Sequence, residues 1–254
     1  MMNYIKSELY RSLKNRNLKI MMAIFLGLMT AMVLVLYYYR VTDPNFNYAN
    51  TRFTMGMIYT SMTMMMLLTM VISALIDDSE YKNHTIKHSV AFGIDRKIIF
   101  LGKFLVQVLV CIVVYVVILA YLIGISYLFL KHSNVDEIAT LVRISLGCLT
   151  CLIAGLTISY VFIMIHENQM IGATWGIVII VGLPIICNLL GRKVEIVGKI
   201  GDLLPYNLVA DAGKVVSSNG TDFGAAVSTS IIGAVWTLAF LLIGIMTFQK
   251  KEIK

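Results

Sequence analysis

Six apolar stretches of 20 or more residues dominate this chain, each long enough to cross a hydrocarbon core of about 30 Å at about 1.5 Å per residue. They run over 20–39, 53–76, 98–130, 138–165, 170–190 and 226–247. Continuous runs of this kind are helices, because a single helix satisfies its own backbone groups in lipid, whereas a barrel shows alternating segments of about ten residues. The expected fold is an all-α membrane protein, one domain over 1–254 with six transmembrane helices. The third run is longer than one crossing needs, so it tilts or continues beyond the bilayer as helix. With 59% hydrophobic and 14% charged residues in 254, the composition excludes a soluble globular enzyme. No soluble stretch exceeds about 35 residues, below the usual size of a separate catalytic domain.

The net charge of +7 does not point to nucleic acid, because the basic residues stand at the ends of apolar runs, where they meet lipid headgroups. Twelve of the 21 Lys and Arg lie in the N-terminal segment, the loop after the second span and the C-terminal tail. Seven lie on the opposite side, which predicts that both termini are cytoplasmic. The first apolar run is too long for a signal peptide and lacks a small-residue cleavage site, so it reads as a retained span. All four cysteines, Cys111, Cys148, Cys151 and Cys187, fall inside spans and read as small buried hydrophobes.

Two segments outside the spans have helical periodicity. Met2, Ile5, Leu9 and Leu13 recur at three- and four-residue spacing, with Lys6, Arg11 and Lys14 elsewhere, predicting an amphipathic helix within 1–19. In the long loop 191–225, Ile196, Ile200, Leu203 and Leu204 make an amphipathic stretch, expected to dip into the bilayer before Pro205 breaks it.

Little in the spans can carry chemistry. None contains Asp or Glu, which argues against an ion-coupled carrier, and Lys103 and Arg143 stand near enough to span ends to snorkel toward headgroups. His166 and Glu167 begin a zinc-like pair, but Met170 stands where the second ligand belongs, so no metal is expected. Cys148 and Cys151 have Cys-x-x-Cys spacing within an apolar helix, where packing explains them. Asn219, Gly220 and Thr221 match a glycosylation acceptor that a turn explains as well. The Gly-Lys pairs at Gly102, Gly198 and Gly213 are followed by Phe, Ile and Val, so the phosphate-cradling loop is missing. The chain is therefore expected not to be an enzyme and to hold no cofactor; energy for uphill transport must come from another polypeptide.

The loop 77–97 is the place for that coupling. Ile86 and Val90 are four apart, Lys82, His84, Lys87 and His88 surround them, Gly93 closes the segment, and Asp95, Arg96 and Lys97 lead into the third span. A plain connector needs neither this length nor the apolar pair, whereas a short helix seated in a partner's groove needs both.

At this point the pattern resembles the membrane subunit of type-2 ATP-binding-cassette exporters, over nearly the whole chain. The family's elbow helix, six spans, coupling helix and partly re-entrant external segment correspond to 2–18, the six runs, 77–97 and 191–206. Its acidic residue, Thr-Ile pair and basic residue match Glu80, Thr85 with Ile86, and Arg96 with Lys103. The opening Ile5-Lys6-Ser7-Glu8-Leu9-Tyr10 is similar to the permeases of bacitracin and lantibiotic resistance systems. That resemblance implies a plasma-membrane protein of bacteria and a separate ATPase in two copies, which binds ATP and magnesium. It also implies a second permease copy, identical or related, and a peptide or other amphipathic substrate. Without a large external domain or an aromatic cluster, polysaccharide export is disfavoured. Glu80, Lys82, Thr85, Ile86, Lys87, His88, Val90 and Arg96 are the expected contacts to the ATPase.

The second span holds seven of the 16 methionines, side chains suited to varied apolar ligands, so Met55, Tyr59, Met62, Met66 and Met70 are the candidate substrate path. Gly172 and Gly176 in the fifth span, like Gly147, Cys151 and Gly155 in the fourth, permit close helix approach, either within the chain or at a dimer seam. The alternative function is a membrane sensor or scaffold that binds a partner without transport.

Overall fold

The computed structural model describes residues 2–43, 46–83, 95–132, 136–166, 168–219 and 223–250. Over these the chain is helical, with a single isolated bridge between Asn50 and Lys131 joining two loops at one end. Five helices are long and apolar enough to cross a membrane, and a bent pair makes a sixth. The six-span expectation therefore corresponds to five unbroken helices and one broken span.

Helix α1 (Met2–Lys14) lies against the start of the third span. Its inner face carries Ile5 and Leu9, and the Tyr4 ring approaches to 3.1 Å of where a Cβ on Gly102 would stand. Leu13, expected on the apolar face, is exposed beside Tyr10. Asn15 ends this helix and starts α2 (Arg16–Thr42): its Oδ1 accepts from the Asn17 and Leu18 amides at 2.9 and 3.4 Å. Its Nδ2 donates to Leu75 O at 2.7 Å, tying the turn to the second span.

That span is two helices, α3 (Thr51–Thr60) and α4 (Met62–Asn83), bent by 57° at Ser61. The sequence reading treats 53–76 as one rod because no Gly or Pro marks the break. Helix α5 (Arg96–Phe129) is the long third span, 34 residues or about 51 Å at about 1.5 Å per residue. Asp95 caps it, accepting from the Lys97 amide at 3.0 Å. Ser73 donates to Gln107 Oε1 at 2.8 Å, fixing α4 against α5.

Helix α6 (Asp136–His166) is the centre of the bundle, with 72% of its apolar window buried against 6% for α2. The fifth span is α7 (Gln169–Ile177), a π-helical turn over Val178–Gly182 and α8 (Leu183–Gly191), the turn accommodating Pro184, which has no amide hydrogen to donate. Helix α11 (Phe223–Lys250) is the sixth span and makes the largest contact in the fold, with α6. A Cβ on Gly233 would stand 2.6 Å from Cys151 N, and Cys151 Sγ donates to Thr229 O at 3.5 Å. The cysteine accordingly packs between spans, as its apolar setting implies.

The loop 191–225 contains two helices, α9 (Glu195–Asp202) and α10 (Pro205–Asn219). Helix α9 ends at Asp202, so the amphipathic stretch stops before Pro205 as expected, and Pro205 then opens α10, since its fixed φ suits the first helical position. Helix α10 is no surface connector, because Val209 is buried and α10 packs against α3 and α6.

At the opposite end of the bundle, buried Phe100, Tyr160, Val161, Met164 and Phe248 join α5, α6 and α11. Tyr160 donates to Phe100 O at 2.8 Å in this cluster. Replacing Tyr160 by Phe removes one buried hydrogen bond while Phe100 O keeps its helical partner, so thermal unfolding in detergent is expected to show a loss of about 1 kcal/mol.

Candidate functional site

The segment expected to meet a partner is bounded by the last turns of α4 and the first of α5. Glu80 and Lys82 belong to the end of α4, so the helix runs past the expected span end at 76. Thr85, Ile86, Lys87, His88 and Val90 lie outside the described residues. Arg96 is the first residue of α5 rather than part of a loop, and its Nη1 donates to Gln249 O at 3.4 Å, near the end of α11. The exit of the segment is therefore clamped to a buried three-helix corner, while its start continues a helix held by the Asn15 to Leu75 and Ser73 to Gln107 bonds. In sequence, residues 84–94 connect α4, the helix that follows the bend at Ser61, to α5.

Helix α1 stands at the same end as the start of α5. Lys6, Lys14, Arg16 and Lys19 are exposed around it, with Lys14 Nζ 4.6 Å from the Tyr10 ring centre. Glu8 turns inward and pairs with Arg11 at 2.5 Å. Burial pushes its carboxyl above the ordinary value, opposed by the Arg11 charge and by hydrogen bonds from Tyr4 and Arg11. Lys103, expected to snorkel, is 3% exposed and engaged within the chain, while Arg143 is exposed.

Met55, Met62, Met66 and Met70 are 2% exposed or less and pack against α5 and α6. Tyr115 OH donates to Met62 Sδ at 3.7 Å. Nothing is described for the Tyr59 side chain. The methionines that face outward are Met57, at 39% exposure, and Met64, at 65%. Gly172 and Gly176 make their close approach inside the chain: a Cβ on Gly172 would stand 2.4 Å from Ile163 Cα, and one on Gly176 3.1 Å from Ser159 Cα.

Two arrangements escaped the sequence reading. Asn207 donates to Asn188 Oδ1 at 3.0 Å and to Gly201 O at 2.9 Å, joining α8, α9 and α10. Tyr39, Phe46, Tyr48 and Phe53 form consecutive ring contacts 5.1 to 5.7 Å apart, an aromatic run that the sequence reading did not find. It comes from separate segments, although Tyr37-Tyr38-Tyr39 marked its start, and Tyr39 and Tyr48 are exposed as rings are at a headgroup interface.

Five helices long and apolar enough to cross a membrane, with a bent pair that makes a sixth, define a multi-pass membrane protein. Residues 5–183 match the model of the family described as ABC-2 family transporter protein, more than half of the chain. The protein belongs to that family, which implies association with an ATP-binding-cassette ATPase. No curated protein matches the chain.

Proposed function

We propose that this chain is the permease subunit of an exporter in a bacterial plasma membrane, driven by a separate ATPase seated on 77–97. Its cargo is an antimicrobial peptide or similar amphipathic molecule, exported or cleared from the membrane. One observation carries the coupling part: the segment joins α4 and α5, and its far end is clamped through Arg96 to the end of α11. A partner closing on that segment has a lever on a bent span and a fixed corner to work against. The cargo rests on the similarity of the opening residues to peptide-resistance permeases.

The test is co-purification of the tagged chain from its native host in mild detergent, followed by mass spectrometry and an ATPase assay. Recovery of an ATP-binding-cassette subunit is expected, with hydrolysis stimulated by cationic peptide and the stimulation abolished by Ile86→Asp, which puts a charge on the apolar seat. Recovery of a signalling protein without an ATPase supports the scaffold alternative instead.

A further inference from the structure

Where α6 stops at His166 and α11 at Lys250, a groove of about 570 Å³ opens beside their ends. It is lined by Ile165 of α6 and by Ile243, Met246, Thr247, Phe248 and Lys250 of α11. Ile243, Met246, Thr247 and Lys250 recur at three- and four-residue spacing, so they share one face of the helix. Phe248 is buried with Phe100 and Tyr160, its ring 5.7 Å from that of Phe100, so packed rings back the groove.

The groove continues an apolar stripe, because Val235, Leu238 and Leu242 are exposed on α11 before it and Ile243 and Met246 are exposed within it. Another helix approaches closely where glycines let it. The two glycines of the run 226–247 are used inside the chain: a Cβ on Gly244 would stand 2.6 Å from Phe100 Cζ, and one on Gly233 would meet Cys151 N. The long side chains left outside suit lipid tails. Polarity enters only at the end of the groove. Thr247 donates its hydroxyl proton to Ile243 O, which leaves the Lys250 ammonium as the cation lining it. Lys250 stands three residues beyond the apolar run, at headgroup depth, and about 10 Å along the axis from Ile243. Exposed Lys97 and half-buried Arg96 lie at the neighbouring start of α5, where exposed Asp95 is turned to the Lys97 amide. In sequence, Lys251 and Lys254 follow against a single Glu252.

We propose that this groove binds one anionic phospholipid, its acyl chain against Ile165, Ile243 and Met246 and its phosphate against Lys250. The inference needs only that the chain lies in a membrane, and it is independent of the transport reading. Charge and shape together decide the occupant: an apolar groove that ends on a cation at headgroup depth matches an amphiphile with a negative head, which the bilayer itself supplies. Seated there, the lipid covers the outer side of the corner where Arg96 donates to Gln249 O, and so steadies the exit of the segment 84–94.

Native mass spectrometry of the full chain tests this, after equilibration in detergent with phosphatidylglycerol or with phosphatidylcholine of the same tails. Phosphatidylglycerol is expected to be retained about fivefold more, the attraction that one basic side chain adds toward anionic lipid. Lys250→Gln is expected to erase that preference and Lys250→Arg to keep it. Met246→Trp, which fills the groove, is expected to lose both lipids. Lys19→Gln, at the exposed start of α2, is expected to leave the preference unchanged. A preference that survives Lys250→Gln, or that falls as far with Lys19→Gln, overturns the site in favour of diffuse attraction by the basic surface. Soluble glycerol phosphate is expected not to displace the lipid, and displacement would overturn the tail seat. A bifunctional thiol reagent that joins Met246→Cys to a second copy would show a different occupant and overturn the lipid. Lys19, Met246 and Lys250 are exposed, so the variants are expected to fold, and the Lys250 pair decides the matter if Met246→Trp does not.

Discussion

Replacing Gly172 by Val is expected to abolish the folded monodisperse protein, read by size exclusion in detergent and by thermal unfolding. The Cβ of any residue there would stand 2.4 Å from Ile163 Cα and 2.6 Å from Ile163 N, and backbone cannot step aside as a flexible side chain can. Overpacking of a well-filled interior typically costs about 1–3 kcal/mol, and here the whole of α7 must move away from the central helix. The control lies in α2: Gly27 has open space around its missing Cβ. Gly27→Ala is expected to fold as well as the parent or gain about 0.5–1 kcal/mol from helix propensity. An undisturbed Gly172→Val protein would mean that α6 and α7 are not in contact at this point.

The second large effect is expected at Asn207. Its amide spans three helices, donating to Asn188 Oδ1 and Gly201 O while its own Oδ1 accepts from Asn188 Nδ2 at 3.3 Å. Asn207→Leu keeps the volume and removes both donors. Each buried group left unpaired costs about 1–3 kcal/mol, so the α9–α10 region should loosen while the spans persist. Limited proteolysis of purified protein checks this: cleavage within 191–225 is expected to accelerate, with the remaining spans protected. Asn207→Asp, which retains an acceptor but loses the donors, should fall on the same side.

The spans were legible because lipid imposes one rule on every residue they contain, and 98–130 against Arg96–Phe129 shows how closely length and hydropathy define a crossing. Tertiary choices were not legible in the same way. The bend at Ser61 falls where neither Gly nor Pro stands, and only the neighbouring hydroxyls in a run of methionines set it apart. Pro205 separates two helices: the sequence reading found the end of the first but not the second, α10, whose Val209 is buried against neighbouring spans. Lys103 was read as snorkelling because distance to a span end is visible in sequence and enclosure by neighbouring helices is not. For the partner segment, charge and periodicity identify where the spans are joined, while Arg96 reaching Gln249 across 153 positions is a contact that no local pattern announces.

The burial of α6 also bears on how the protein is made. This most enclosed span is fourth along the chain, and its largest partner, α11, follows the other five spans in the sequence. Until residues after 223 enter the membrane, α6 lacks its largest contact, in which Ser230 donates to Gly147 O at 3.1 Å. Helices that insert separately and associate afterwards tolerate such a wait, because each already satisfies its own backbone. Closure of the centre therefore waits on α11: α2, with little of its surface used inside the chain, can be placed early, and α6 is fully covered only once α11 has joined it.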